Sequence, residues 1–410
     1  MKRNYTTDIK QHFSEHSQIV MVSGPRQVGK TTLAQSIYEG NRVYYLNWDD
    51  FDDREIILQG TSAIAEFAKF RQVSELKPLI IFDEIHKYSK WKQLIKGFYD
   101  HHKAECHIIV TGSSRMDVYK KGGDSLMGRY FNYRLHPFSL SEINIKTKQI
   151  NIPNSILLHE PRPTCEQDFQ ALLQWGGFPE PFIKRNTRFF NRWSRSREQQ
   201  LLRQDIRDLS RVQELDQLEM LAILLKRQSG QLTSYSSLAK KVRVSVDTIR
   251  RWINLLESFY YIFSVRPWTK NIARSLLKEP KYYLWDWSQN LDKGSRNENF
   301  IASHLLKAVD YWTDLGFGNF KLHFVRDKEK RGVDFLVVKD DTPWILVEVK
   351  SSVKSKLSPN LSIFAKQLDV EHTFQVGVEG DFVNRNLFNL DRKKHEPVIV
   401  SAKTFLSQLV

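Results

Sequence analysis

The feature that most constrains this chain is one short turn, Gly24-Pro25-Arg26-Gln27-Val28-Gly29-Lys30-Thr31. The apolar run Ile19–Ser23 precedes it, and Thr32–Tyr38 follows with helical texture. A strand, a glycine-bracketed turn and a helix in that order form a phosphate cradle. The glycines let the backbone curl, so that its N–H groups face a phosphate at a helix N-terminus. The candidate phosphate-binding residues are Gly24, Pro25, Arg26, Gln27, Val28, Gly29, Lys30, Thr31 and Thr32. Lys30 is placed to set a cation between the β- and γ-phosphates of ATP, and the Thr31 hydroxyl to ligate Mg²⁺.

A second motif gives the turn its partner. Leu79-Ile80-Ile81-Phe82 is a strand that ends in Asp83-Glu84. Carboxylates at the end of a buried strand need a compensating charge. A phosphate-bound Mg²⁺ supplies one for Asp83, and Glu84 is then placed as the base for the attacking water. A third strand, His107–Thr111, ends in Gly112-Ser113-Ser114, and Thr111 and Ser113 are candidates to touch the γ-phosphate or that water. Arg129, in Leu126-Met127-Gly128-Arg129, is a candidate arginine finger in cis or from a neighbouring subunit, with Arg115 and Arg134 competing for the role.

The surrounding pattern fits. Strands are expected at Ile19–Ser23, Val43–Asn47, Leu79–Phe82, His107–Thr111 and Phe131–Leu135, and helices at Thr31–Tyr38, Ile64–Val73 and Trp91–Tyr99. Apolar strands alternating with helices predict a parallel sheet covered on both faces.

The texture changes after residue 150. Pro153, Pro161 and Pro163 punctuate a loop-rich stretch, and an Arg-rich polar segment runs from Phe182 to Leu218. Leu232–Leu256 then reads as a helix-turn-helix. Ser234–Val242 forms its first helix, Ser245 caps the second, and Ile249, Ile253 and Leu256 share one face. Arg250, Arg251 and Asn254 fall on the other face, and Tyr260–Val265 is placed as a wing. Such a face enters a DNA major groove in some proteins and packs against protein in others.

Near the C-terminus, Gly332–Val338 and Trp344–Lys350 read as neighbouring strands. Strand alternation sends Glu348 and Lys350 to one face, where Asp334 can meet them. Glu298 opens an expected helix, Glu298–Lys307.

The phosphate turn, Asp83-Glu84, Thr111-Gly112-Ser113-Ser114, Leu126–Arg129, Leu135–Leu140, Gly176–Glu180 and Arg207-Asp208 resemble bacterial and archaeal AAA+-type ATPases that carry a C-terminal domain of unknown function. Asp334 with Glu348-Val349-Lys350 resembles the PD-(D/E)xK nucleases, with Val333 where the motif's name has proline.

The resemblances imply an α/β chain: an AAA+/ASCE P-loop sheet over 1–145, a helical lid or linker over 146–218, a winged-helix block over 219–270 and a restriction-endonuclease-like domain over 271–410. They also imply ATP and Mg²⁺ as cofactors. A second divalent metal would be held by Asp334 and Glu348, with Lys350 and Glu298 beside them. The alternative is a salt-bridged cluster in a domain that binds rather than cuts.

Composition sets the bounds. The net charge of +15 points to an anionic partner, DNA or RNA first. No apolar run approaches the roughly 20 residues that span a bilayer, so no membrane partner is expected. Cys106 and Cys165 match no metal or redox spacing, which together with the polar start of the chain suggests a cytoplasmic protein. A homo-oligomer is expected from the AAA+ resemblance. The functions in view are an ATP-driven machine on nucleic acid, a nucleotide switch that recruits proteins, and an ATP-gated nuclease.

Overall fold

The computed structural model describes residues 3–38, 42–70, 77–112, 126–143, 158–206, 214–269, 279–391 and 393–410. The chain divides into two compact units, Met1–His136 and Pro137–Val410.

The first unit opens with helix α1 (Tyr5–Glu15), which buries Tyr5, Ile9, His12 and Phe13 along one stripe. Strand β1 (Ile19–Ser23), helix α2 (Lys30–Gln35) and strand β2 (Val43–Asn47) follow. Helices α3 (Phe51–Gln59) and α4 (Thr61–Phe67) lead to β3 (Leu79–Asp83), α5 (Trp91–His102), β4 (His107–Gly112) and β5 (Tyr130–Arg134). The five strands form one sheet in the order β2-β3-β4-β1-β5, and every pairing is parallel. Parallel neighbours need crossovers, and α2, α3 with α4, and α5 supply those from β1 to β2, from β2 to β3 and from β3 to β4. Sequence had placed all five strands within a residue or so. It had not anticipated α1 or α3, although Asp50 caps α3 by accepting from the N–H groups of Asp52 and Asp53.

Two features of this sheet position the site. Strand β4 lies between β1, which feeds the phosphate turn, and β3, which ends in Asp83. The register also pairs Asn47 with Asp83, Asp83 with Thr111, and Ser23 with Gly112, so the carboxyl ends of four strands share one edge. Ligands of open parallel sheets bind at that edge. Below it, Met21, Phe82 and Val110 pack with Trp91, Ile95 and Phe98 of α5 to close the core.

The second unit begins with four helices: α6 (Leu140–Ile143), α7 (Glu166–Trp175), α8 (Pro179–Lys184) and α9 (Thr187–Gln199). A π turn over Gln200–Asp205 extends α9. Arg188, Arg192 and Arg195 are exposed on α9, as a solvated charge run predicts. Arg197 departs from that pattern, its guanidinium lying 4.0 Å over the ring of Phe178.

Helices α10 (Leu215–Arg227), α11 (Tyr235–Val242) and α12 (Val246–Ser258) build the next core, around Leu221, Leu238, Ile249, Trp252 and Leu256. The Ser245 hydroxyl accepts from the Thr248 N–H and caps α12, an interaction worth about 1 kcal/mol.

Strands β6 (Ile262–Pro267) and β7 (Lys281–Leu284) pair antiparallel, and helix α13 (Lys293–Asp314) follows. Strands β8 (Phe320–Arg326), β9 (Gly332–Lys339) and β10 (Thr342–Ser352), helix α14 (Pro359–Gln367), strands β11 (His372–Glu379) and β12 (Val398–Ser401) and helix α15 (Ala402–Leu406) complete the chain. The hairpin after the helical block does not stand free as a wing. It joins the C-terminal strands in one seven-stranded mixed sheet, β12-β11-β10-β9-β8-β6-β7. Within this unit, Lys307 of α13 donates to Glu142 of α6 at 2.5 Å and to the Pro137 carbonyl at 3.1 Å. No helix of the described residues is long and apolar enough to cross a membrane.

Candidate functional site

Strand β1 ends at Ser23 and the backbone turns sharply. Gly24 has φ 154°, and a β-carbon there would meet the Leu135 carbonyl oxygen at 2.3 Å. Gly29 has φ 96°, a left-handed conformation that a side chain would strain, and α2 starts immediately after it. The turn is supported from below by Arg3, whose guanidinium donates to the carbonyls of Val28 and His136. Sequence gave no sign of Arg3, because its role depends on chain that folds back from far away.

Lys30 is buried, and its ammonium donates to the carbonyls of Gly24 and Pro25 at 3.1 and 2.9 Å. It thus sits inside the turn, where a phosphate would bring anionic oxygens to compete for it. Thr31 Oγ1 donates to Asp83 Oδ2 at 2.7 Å. The two residues assigned to Mg²⁺ are therefore in contact. Thr111 Oγ1 donates to the other oxygen, Asp83 Oδ1.

A residue not foreseen completes the set. Tyr45, on β2, donates its hydroxyl to Asp83 Oδ2 at 2.7 Å. Burial pushes the Asp83 carboxyl up, but the three hydroxyl donors and the nearby Lys30 charge outweigh it, and the group ends below the usual carboxylate range. Burial together with Asp83 raises the Tyr45 phenol, which stays protonated and remains a donor. The carboxylate is thus held ionised mainly by neutral groups. That arrangement leaves an anion at the sheet edge without cancelling its charge.

Glu84 follows in a left-handed conformation, φ 54° and ψ 18°. A non-glycine residue held there costs on the order of 1–3 kcal/mol and persists where the surroundings require it. Its Oε2 lies 3.6 Å from Lys87 Nζ and 3.8 Å from His86 Nε2, and Lys87 also bonds Asp49 at 2.5 Å. Burial first, then neighbouring cations, lowers the His86 pKa, so the imidazole is the neutral form near pH 7.

Two further candidates are not brought to this edge among the described residues. Ser113, like Ser114 and Arg115, lies outside them. Arg129 is placed at the opposite end of the sheet: its carbonyl accepts from Ile19, the first residue of β1, five residues before Gly24. At about 3.3 Å per residue that is roughly 16 Å from the phosphate turn. Its guanidinium grips Asp100 of α5 through two bonds, 2.8 and 3.2 Å. A finger role in cis is therefore not served by this placement. Arg134 pairs with Ser23 in β-register and lies nearer the turn.

In the second unit, β9 and β10 are antiparallel neighbours, and Val347 pairs with Phe335. Asp334 and Glu348 are next in that register. Asp334 Oδ2 accepts from the Val349 N–H at 2.9 Å, and Lys350 Nζ donates to Glu348 Oε1 at 2.7 Å. Glu298 on α13 joins the same neighbourhood through Lys281 of β7, which lies 3.1 Å from Glu298 Oε1 and 3.7 Å from Asp334 Oδ1. Lys281 was not among the residues read from sequence. Among the described residues no three His, Cys, Asp or Glu side chains come together as a metal-holding group.

Comparison with known proteins agrees with the first unit and leaves the second open. Residues 16–144 match a family described as an AAA domain. Residues 166–288 and 293–391 match two domains of unknown function, DUF8612 and DUF4143. An uncharacterized protein of Methanocaldococcus jannaschii is 24% identical over 379 residues, 83% of this chain and 77% of that protein. An uncharacterized protein of Mycobacterium tuberculosis is 22% identical over 268 residues, and the match spans 65% of this chain but only 54% of the mycobacterial one.

Among solved structures, a Walker-type ATPase of Pyrococcus abyssi is 14% identical, with a TM-score of 0.44 over 70% of this chain and 93% of that one. A STAND protein with a tetratricopeptide repeat sensor from Pyrococcus horikoshii is 13% identical, with a TM-score of 0.31 over 77% and 48%. The turn, Lys30, Thr31 and Asp83 all fall inside residues 16–144, so the match to an AAA domain and the geometry of these residues together support a nucleotide-binding, AAA-type ATPase there.

Proposed function

We propose that the chain hydrolyses ATP at the Gly24–Thr32 turn and that this turnover is coupled to duplex DNA held by the helical block. The observation that carries the first half is the meeting of Thr31 and Asp83 at one sheet edge, beside Lys30 in the phosphate turn. The donor set fits Mg²⁺-ATP: a hydroxyl, a carboxylate kept ionised, a buried ammonium and a glycine-bracketed turn that opens a helix.

In this reading Lys30 exchanges the Gly24 and Pro25 carbonyls for phosphate oxygens. Thr31 and Asp83 would hold Mg²⁺, which when bound neutralises charge on the β- and γ-phosphate oxygens. Glu84 accepts a proton from the water whose oxygen attacks the γ-phosphorus, while the bond to the β–γ bridging oxygen breaks and ADP leaves. Glu84 first exchanges its contacts with Lys87 and His86 for that water. Thr111 fixes Asp83, and Ser113 is kept as a candidate contact for the γ-phosphate. Arg129 is kept for a neighbouring subunit only.

The second half rests on α11 and α12. Lys240, Lys241, Arg243, Arg250, Arg251 and Asn254 are all exposed there, while Ile249, Ile253 and Leu256 face inward. A cationic, solvent-facing second helix suits phosphate and groove contact. ATP turnover with and without duplex DNA at low salt tests the pair. Stimulation and retention are expected, and Arg250→Glu with Arg251→Glu removes both while leaving basal turnover. No stimulation and no retention sinks the DNA half, and full turnover by Lys30→Ala sinks the ATP half.

A second reading, a nucleotide switch whose C-terminal domain binds rather than cuts, is favoured by the lysine lodged among Glu298, Asp334 and Glu348.

A further inference from the structure

The acid centre of the second unit gathers three carboxylates and two ammonium groups from four elements. Glu298 Oε1 accepts from the Tyr283 hydroxyl at 2.6 Å and from Lys281 at 3.1 Å. Asp334 divides its oxygens between Lys281 and the Val349 N–H. Glu348 is met by Lys350. The two lysines differ in kind. The Lys281 side chain is 16% exposed and Lys350 is 34% exposed. Lys350 leans in from the rim, whereas Lys281 is built into the cluster.

Crowded carboxylates need positive charge. Burial, then the neighbouring Glu348 charge, pushes the Asp334 carboxyl up, and burial followed by Asp334 does the same for Glu298. Lys281 Nζ lies 3.1 Å from Glu298 Oε1 and 3.7 Å from Asp334 Oδ1. The ammonium therefore occupies the position where a divalent cation would find its counter-charges. An ion bridging Asp334 and Glu348 would stand against that ammonium and would have to displace it.

We infer that Lys281 is the resident cation of this centre, and that the C-terminal fold in this arrangement is balanced by a lysine of β7 instead of a divalent metal. The Asp334, Glu348 and Glu298 set does not fit a metal while Lys281 is in place, and no strand-cutting step follows from it. The inference uses the nuclease-like reading only for where a metal would be sought, and it is independent of ATP turnover and of DNA retention. The position of Lys281 in the chain gives it a structural consequence. It pairs with Val265 within the hairpin and bridges to Leu232 beside the helical block. The same ammonium therefore fastens that hairpin to β9 and α13.

Mn²⁺ binding to the full nucleotide-free chain, followed by loss of the free-ion electron paramagnetic resonance signal, tests this. Wild type and Asp334→Asn are expected to bind alike, because the centre takes no ion. Lys281→Met should gain one Mn²⁺ site that wild type lacks, and Lys281→Met with Asp334→Asn should lose it. A wild-type site that disappears in Asp334→Asn overturns the inference, as does a folded Lys281→Met chain that gains none. Should Lys281→Met not fold, melting of wild type and Asp334→Asn in millimolar Mn²⁺ decides. Equal shifts support a lysine-filled centre, and a larger shift in wild type overturns it.

Discussion

The chain carries two acidic centres that solve the same problem in opposite ways. Asp83 is buried at the end of β3 and is surrounded by the hydroxyls of Thr31, Thr111 and Tyr45. Those groups stabilise its charge without neutralising it. Asp334, with Glu298 and Glu348, has the ammonium groups of Lys281 and Lys350 among its carboxylates, and these offset part of the cluster's charge. On the proposed reading the first centre takes its cation from solution, and the second holds one in Lys281. A carboxylate cluster therefore cannot be read as a metal centre until its resident donors have been identified.

Glu84→Gln tests the hydrolytic side of this contrast and has the largest expected effect. Turnover should fall roughly 10²–10⁴-fold while ATP is still retained, as read by steady-state phosphate release against filter binding. Unchanged turnover would remove Glu84 from the chemistry. The two lysines give the next test. Lys281→Met leaves buried acids without their partner and should cost about 3–5 kcal/mol in denaturant unfolding at neutral pH. Lys30→Met removes its bonds to the Gly24 and Pro25 carbonyls and a charge near Asp83, and should cost less, about 1–2 kcal/mol. Equal losses would erase the distinction.

Tyr45→Phe sharpens the comparison from the other side. Losing one hydrogen bond to a charged group is worth about 1.5 kcal/mol, so the Mg²⁺ concentration at half-maximal turnover should rise roughly tenfold. The affinity for ATP measured without Mg²⁺ should not move.

The smallest effect is in pH. Asp83 titrates below its usual range, so its contribution to stability is present above the ordinary carboxylate pKa and is lost as pH falls through the folded value. Asp334 and Glu298 titrate above theirs, so the folded second unit holds protons that the unfolded chain releases, and its stability falls as pH rises through that window. Melting curves should show Asp83→Asn removing an acid-side loss and Asp334→Asn removing an acid-side gain.

These differences also explain what could be read in the sequence. The phosphate turn, the acid pair and the five strands were legible because each is local: glycine spacing, an apolar run, then a polar strand end. Asn47 and Asp83 meet through a register between strands more than thirty residues apart, and Tyr45 arrives by that register, so no local pattern announces it. Lys281 opens an apolar strand and has no motif of its own. It lies 3.1 Å from Glu298 and 3.7 Å from Asp334 only once the strands of the second unit have closed. Helix α1 is a different kind of miss. Its Tyr5, Ile9, His12 and Phe13 stripe was present in the sequence, among polar residues that masked it. Arg129 is a different case: its ion pair with Asp100 holds it at the far end of the sheet, so only the role from a neighbouring subunit is proposed for it.

The seven-stranded sheet limits how this chain can be dissected. Residue 270 marks a change of texture, where the helical block ends and the mixed α/β pattern begins, but a cut there is not clean. It would separate Arg266 and Pro267 of β6 from their β8 partners His323 and Phe324, and it would separate β6 from β7. Each fragment would then present unpaired backbone along a fresh strand edge, an invitation to self-association. The helical block and the C-terminal strands should therefore melt and refold as one cooperative body, and substitutions placed in the intact chain will report on them where truncation would not.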